Sequence, residues 1–213
     1  MKIWKKALVV ISLLWGMVAT AHSTELLVKE LRTEWAEARY TLEGSNQKER
    51  LMALAKKAHA MNEAHPNDAA LLAWEGTILS SYANAKGGLG ALSYLQKAKS
   101  ALEKSISLDE KAEHAQAHCI LGVLYYRVPA WPVGFKDTRK ALTHLTRAHQ
   151  LEPQNIDPYY FLGDYFSKAG RLEKAKSYLV SGLNIAPRAP DYQLWNKGRK
   201  KEIEQLLSEI KQK

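Results

Sequence analysis

The feature that most constrains this chain is the segment Ile156–Pro187, which reads as two short amphipathic helices joined at Gly170. Large apolar residues recur at helical intervals in both halves, and small residues stand at Gly163, Ala175 and Gly182. A small side chain lets two helix backbones approach closely, whereas a larger one would hold them apart. The segment therefore predicts a tightly packed helical hairpin that a proline closes.

Related segments precede it along the chain. Gly76 and Gly122 correspond to the glycine of the first helix, and the second-helix segments AKSALEKSISLD and ALTHLTRAHQLE align without gaps. Repeated hairpins of this kind cannot bury their apolar faces alone, so they stack against one another. The repetition favours an array of hairpins over a generic helical bundle.

These hairpins resemble the tetratricopeptide repeat (TPR), a helix–turn–helix unit of about 34 residues. The resemblance covers most of the chain and implies an all-α, TPR-type α-solenoid of about four units plus a C-terminal capping helix. We expect a single domain, 22–213, with units near 25–68, 69–114, 115–155 and 156–189 and a terminal helix at 199–210. Excess residues at 82–95 and 127–137 predict two insertions on one edge of the stack, because turns within units share an edge.

Residues 1–21, MKIWKKALVVISLLWGMVATA, combine a lysine-bearing start, an apolar run and a terminal Ala-Thr-Ala. This pattern is typical of a secretory signal peptide, and we expect cleavage after Ala21. The apolar run is shorter than the roughly 20 residues of a membrane span, although an uncleaved anchor stays open as the alternative. No cysteine follows the cleavage site, so a lipoprotein is not indicated. The expected location is periplasmic or secreted, with no stable membrane span after cleavage.

Composition argues against several classes of function. The net charge is +9, but Lys and Arg alternate with Glu and Asp along most helices, so we expect no nucleic-acid binding. Cys119 reads as a small buried hydrophobe, and His118 as a core residue rather than a metal ligand with His114. Gly87–Gly90 reads as a flexible turn, and no Ser-His-acid set stands out. The chain is therefore predicted to be no enzyme and to need no cofactor or metal.

The first helix of each unit is expected to line a concave groove. Ordinary solvated helix surface is the alternative for these positions. Cys119 and Val123 replace the Lys and Asn with which some TPR domains clamp a peptide carboxylate, so that activity is not expected. The binding candidates in the third and fourth units are Tyr126, Arg127, Tyr160, Asp164 and Lys168.

The insertion VPAWPVGF, residues 128–135, adds Trp131 and Phe135 to the candidates. Prolines stiffen this loop, and its rings either fold back onto the helices or form a contact surface. With LGVLYY before it and Asp137 after it, the loop resembles the Pro-Gly-Trp-Pro insertion of periplasmic TPR proteins, some similar to the T component of tripartite ATP-independent periplasmic (TRAP) transporters. Ala130 departs from that motif, which has Gly. The resemblance implies a protein that pairs with a solute-binding protein and shelters a ligand.

Two functions of different class follow. The first is a scaffold that binds a protein or peptide partner through the concave groove, assisted by the edge that carries the two insertions. The second is a transport accessory that binds a small apolar or organic-acid solute. In that case Arg127 and Lys168 would pair with a carboxylate, and Tyr126 and Tyr160 would line the pocket.

Overall fold

The computed structural model describes residues 24–130, 132–187 and 190–212, and in these ranges all regular structure is helical. The predicted signal peptide with its cleavage site, and the side chain of Trp131, lie outside the described residues. Within them no helix is both long and apolar enough to cross a bilayer. The first helix, α1, covers residues 24–41. The others are α2 (Gly44–Ala64), α3 (Ala69–Lys86), α4 (Leu92–Leu108), α5 (Ala112–Arg127), α6 (Thr138–Leu151), α7 (Ile156–Lys168), α8 (Leu172–Leu183) and α9 (Gln193–Lys211), with short 3-10 turns at Leu89–Ala91 and Pro190–Tyr192.

Consecutive helices pack as hairpins and the hairpins stack in order. The pairs α3–α4, α5–α6 and α7–α8 make the most extensive contacts, and each first helix also contacts the hairpins beside it. Ion pairs from Lys57 to Glu30 and Glu34 join α2 to α1. The all-α, TPR-type solenoid that the sequence predicts is therefore confirmed.

The repeated glycines have the same surroundings in three successive hairpins. A Cβ atom placed on any of them would lie 2.5–2.7 Å from a leucine side chain of the partner helix. Because real Cβ atoms do not approach so closely, only glycine permits this helix separation. The pairs are Gly76 with Leu102, Gly122 with Leu145 and Gly163 with Leu179.

Polar side chains fix where the helices begin. Asp68, Asp137 and Asn155 each accept a hydrogen bond from a backbone N–H in the first turn that follows, which satisfies a donor that has no intrahelical partner. Asn155 also donates its Nδ2 to the backbone oxygen of His114, at 3.1 Å. The caps therefore link neighbouring hairpins as well as start helices.

The insertion expected at 82–95 is mostly helix. The first helix of this unit runs on to Lys86 and the second begins at Leu92, so the turn is short. Gly87 and Gly88 take φ values of 64° and 66°, a region that glycine enters without strain. The predicted turn at these glycines is present, and the extra residues of the insertion mostly lengthen the two helices. The terminal helix likewise begins at Gln193, earlier than predicted.

The start of α5 is a left-handed turn. Glu113, His114 and Ala115 have φ values of 45°, 58° and 58°, which are unusual for residues with a Cβ atom. His114 consequently precedes the regular helix that carries His118, so these two residues do not stand one turn apart on a helix face. His118 itself is buried.

Candidate functional site

The inner side of the array encloses a cavity of about 200 Å³. Its walls come from the first helix of every hairpin and from α9, so residues distant in the sequence meet there. The lining includes Trp35, Arg39, Ser80, Ser81, Val123, Arg127, Tyr160, Phe161, Arg199 and Glu202.

Helix α9 closes this cavity by contacting the start of the array. The rings of Trp35, Trp74 and Trp195 meet edge to face with centroid distances of 5.1–5.7 Å. An ion pair joins Arg39 of α1 to Glu202 of α9. The first and last helices therefore narrow the inner side of the array to a partly open cavity.

Each tryptophan of this cluster also donates a hydrogen bond from its indole N–H to a polar partner. Trp35 donates to Ser81 at 2.9 Å, and Trp74 donates to Glu113 at 2.8 Å. Trp195 donates to Asp157 at 3.0 Å. Buried indole N–H groups need such partners, so the cluster is fixed by directional bonds as well as by ring packing. Sequence reasoning missed this cluster, whose only signal was a tryptophan in each of three widely separated helices.

Four of the predicted site residues form one polar cluster around the buried carboxylate of Asp164. Tyr126 donates its hydroxyl to Oδ2 at 2.6 Å. Arg127 donates Nη2 to the same oxygen at 2.6 Å and Nε at 3.2 Å. Lys168 pairs with Oδ1. The cluster joins α5 to α7 and fixes the direction of the guanidinium.

Charge is distributed unevenly in this cluster. Burial raises the pKa of Asp164, but the charge of Arg127 and the hydrogen bonds from Lys168 and Tyr126 lower it further, so the net shift is downward. Burial raises the pKa of Tyr126 well above its ordinary value, which keeps the hydroxyl protonated as a donor. One carboxylate therefore faces two cations, and the cluster carries excess positive charge.

Arg127 lines the cavity, and Asp164 engages only one side of its guanidinium. Its Nε and Nη2 bind Asp164, whereas Nη1 has no partner among the residues that the structure describes. Its side chain is 39% exposed. Tyr160 lies on the same wall, where the guanidinium of Arg199 stacks 4.5 Å from its ring centroid. The wall thus offers a positioned cation beside an aromatic surface.

A second buried ion pair joins α7 to α9 beside Tyr160. Arg199 donates Nε to Asp157 at 2.9 Å and Nη2 at 3.3 Å, and both side chains are almost completely buried. The same guanidinium also contacts Glu202. Each of its three nitrogens has a carboxylate partner, so Arg199 is held in place and shapes the cavity wall.

The other predicted site residues lie elsewhere. Phe135 packs edge to face against Tyr125, with centroids 5.9 Å apart, and Lys99 approaches the same ring. This contact is on the outer side of the hairpin, so Phe135 does not line the cavity. Lys168 contacts Asp164 but is not part of the cavity wall. The sequence analysis grouped these residues with the cavity residues as one site, whereas the structure divides them between an inner and an outer surface.

The histidines show a pairing that sequence spacing did not indicate. Nδ1 of His118 lies 2.9 Å from Nδ1 of His144, so one ring donates and the other accepts. Burial lowers the pKa of both rings, that of His144 to about 4. The described residues contain no group of three or more His, Cys, Asp and Glu side chains arranged to hold a metal ion. Cys119 is buried in the helical core.

The stacked helical hairpins define a TPR-type solenoid protein. The profile of the TRAP transporter T-component family (TAtT) matches residues 22–212, and the chain belongs to that family. Over 94 residues it is 35% identical to tetratricopeptide repeat protein 37 of Xenopus laevis, a match that covers 41% of this chain and 6% of that protein. The crystal structure of MamA aligns with a TM-score of 0.47 at 21% identity, covering 78% of this chain and 89% of that chain.

Proposed function

We propose that this chain is a non-enzymatic, periplasmic accessory of a TRAP-type transport system that acts as a scaffold for a protein partner. Family membership and the TPR-type fold support the accessory role. Because α9 covers the inner side of the array, the partner surface is placed on the edge that carries the turns within hairpins. This moves the proposed contact from the groove to the edge.

The observation that carries this proposal is the combination of exposed apolar and cationic side chains on that edge. Leu89 is 81% exposed and Val133 is 51% exposed, one in each of the two neighbouring turns. Exposed apolar groups rimmed by polar residues are typical of protein contact sites. Two exposed cations beside these turns, Lys136 and Arg139, have no acidic partner in the described part of the chain. An acidic surface of a solute-binding protein fits this edge.

The edge is tested with the purified solute-binding protein of the same transport system. Biolayer interferometry should show at least a tenfold loss of affinity for a Leu89→Asp, Val133→Asp variant. The matched control is Leu108→Asp, because Leu108 is 45% exposed at the end of α4 on the opposite edge. Equal binding by the edge variant and the control would refute the scaffold proposal.

A second function is favoured by the free donor of Arg127. We propose that the central cavity holds a small organic acid, whose carboxylate accepts from Nη1 while its carbon chain contacts Tyr160. Arginine forms strong charge-assisted hydrogen bonds with carboxylates. The cavity of about 200 Å³ is below the roughly 300–1,000 Å³ typical of sites for larger ligands, so the acid must be small.

Native mass spectrometry and calorimetry with acetate, pyruvate and succinate test the cavity. An Arg127→Met, Asp164→Asn variant removes the donor together with its buried counter-charge, and should lose binding while keeping its helical circular dichroism. Lys168→Met is the control, since this lysine contacts Asp164 without lining the cavity. Retained affinity in the double variant, or no binding by the unmodified chain, would remove this function.

A further inference from the structure

A second cavity lies on the outer side of the array, separate from the central cavity and from the edge. We call it the outer groove; it measures about 650 Å³ and lies between α2, α3 and α4. Buried Leu79 and Tyr82 form its floor, and Met52, 39% exposed, stands at its mouth. Tyr94 and Lys97 of α4 form the facing wall. Neither the family match nor the proposed functions assign anything to this groove.

The next two hairpins have a stacked pair of rings at the equivalent positions. The two pairs have centroids 5.7 and 5.6 Å apart and are within about 11° of parallel. Equivalent positions are counted from the repeated glycine in each first helix and from the repeated alanine in each second helix. The pairs are Tyr125 with His144 and Phe166 with Tyr178, and their counterparts in the hairpin of the outer groove are Leu79 and Ala101.

A lysine accompanies each of these rings. Lys140 Nζ lies 5.5 Å from the Tyr125 centroid, and Lys174 Nζ lies 4.3 Å from the Phe166 centroid. The repeat places Lys97 at the same position in the outer groove, where Leu79 supplies no ring beneath it. Within the described ranges no carboxylate pairs with this lysine. The outer groove therefore keeps the cation of the repeat but lacks its aromatic partner.

We infer that the outer groove binds an aromatic side chain carried by an acidic segment of a partner protein. The ring fills the space that Tyr125 and His144 fill in the next hairpin, with Lys97 over its face. Tyr82 and Tyr94, edge to face at 4.8 Å, provide the surface against which it packs.

Charge complementarity selects the flanking residues of the partner. Lys56 and Lys97 are exposed on opposite walls, and neither has an acidic partner in the part of the chain that the structure describes. Glu75, the acidic residue of the lining, is bonded to His59 and Asn62. Carboxylates on either side of the aromatic residue would therefore meet free cations.

The chain itself shows how an inserted segment can present such a ring. Phe135 comes from the loop between α5 and α6, which is not helical, and packs against Tyr125 of the next hairpin along from the outer groove. Lys99 Nζ lies 5.9 Å from its centroid. A ring from a loop, placed between a tyrosine and a lysine, is thus an arrangement that this array already accommodates.

The test uses the full chain labelled at its methionine methyl groups and the probe peptide acetyl-Asp-Glu-Phe-Glu-Asp-amide. A phenylalanine ring in the outer groove lies beside Met52, so its ring current should move the Met52 methyl proton resonance upfield in a saturable way. Met61, which does not line the groove, is the internal control. The same peptide with Leu in place of Phe should produce no upfield shift, and Lys-Lys-Phe-Lys-Lys should bind at least tenfold more weakly.

Variants of the chain locate the contact. Lys56→Glu and Lys97→Glu should each raise the Kd of the probe at least tenfold, whereas Lys104→Glu, exposed on α4 outside the groove, should leave it unchanged. An unmoved Met52 resonance at saturating peptide, or equal shifts with the Leu peptide, would overturn the inference. Because the Arg127→Met, Asp164→Asn variant changes only the central cavity, it should bind the probe normally, which separates this inference from the proposed functions.

Discussion

The second and third hairpins share one backbone arrangement but differ in what fills their outer side. In α5–α6, Tyr125 stacks on His144, and Phe135 of the insertion packs edge to face against Tyr125. In α3–α4, the corresponding positions carry Leu79 and Ala101, and a groove of about 650 Å³ remains. The contrast shows that side chains, and not the helix geometry, decide whether this face is open.

The two insertions account for part of the contrast. The insertion of the third hairpin contributes a ring that packs back onto the helices. The insertion of the second hairpin instead lengthens α3 and turns at Gly87 and Gly88, and its rings, Tyr82 and Tyr94, line the groove without filling it. Departures from the repeat therefore create the surfaces that distinguish one hairpin from another, while the repeated positions maintain the common frame.

The largest expected effect tests the close helix packing that the two hairpins share. Gly76→Ala and Gly122→Ala each force a Cβ atom within 2.5–2.7 Å of a leucine side chain. Alanine gains about 0.5–1 kcal/mol in a helix over glycine, but overpacking costs about 1–3 kcal/mol, so we expect net destabilisation in both hairpins. Urea unfolding at neutral pH measures the loss.

Gly90→Ala is the matched control for this comparison. Its Cβ would meet only the end of the flexible Lys86 side chain, so stability should stay nearly constant. A large loss for Gly122→Ala with none for Gly76→Ala would show that the open hairpin does not depend on the same close helix approach.

Phe135→Ala comes next in size and removes the covering ring from the filled hairpin. We expect a loss of about 1–2 kcal/mol, because the ring is only partly buried and the full ~3–5 kcal/mol applies to buried phenylalanine. Thermal unfolding measures it, with Leu89→Ala as the neutral control. The same variant should gain no second site for the acidic phenylalanine peptide, because Tyr125 and His144 still fill the equivalent place beside Lys140; a second site would contradict the proposed equivalence of the two hairpins.

The repeat phase explains why much of the fold could be predicted. Glycine and alanine at fixed intervals report a close helix approach directly, and the same phase placed Tyr126, Arg127 and Asp164 on facing helices, where the structure brings them together. Their role in binding stays a proposal. Local pattern is sufficient here because each hairpin packs mainly against its neighbours.

Closure of the inner side could not be predicted in this way. Trp35 and Trp195 lie in the first and last helices, and their contact depends on the accumulated curvature of the whole array. No local interval in the sequence encodes that curvature. The left-handed turn at Glu113 is equally hidden, because residues with a Cβ atom give no signal of positive φ in the way that glycine does.

A smaller effect is the pH dependence of stability that His144 gives to the third hairpin. Burial holds the pKa of His144 at about 4, below the usual value of about 6.5, so the folded chain resists a proton that the unfolded chain accepts. Stability should therefore fall as the pH decreases from about 6.5 to 4, by about 1 kcal/mol after allowance for partial exposure. His118, Glu103 and Lys140 are the charged or titratable groups that act on this ring.

His144→Gln tests that assignment. Urea unfolding at pH 7 and pH 4.5 should show a weaker pH dependence in this variant than in the unmodified chain. The outer groove, with Ala101 at the equivalent position, supplies no titrating ring, so Ala101→Ser should retain the original dependence. Parallel pH dependence in all three proteins would assign the acid sensitivity to other groups.

The smallest expected change in stability comes from making the open hairpin resemble the filled one. Leu79→Tyr with Ala101→His introduces the stacked pair; Leu79 lines the groove and Ala101 is partly exposed next to Ser100 of its wall, so we expect the free energy of unfolding to stay within about 1 kcal/mol. Binding of the acidic phenylalanine peptide should nevertheless disappear, because the introduced rings occupy its place under Lys97. Calorimetry on this variant thus separates function from stability: full binding would mean that the missing ring pair is not the reason the groove accepts a ligand.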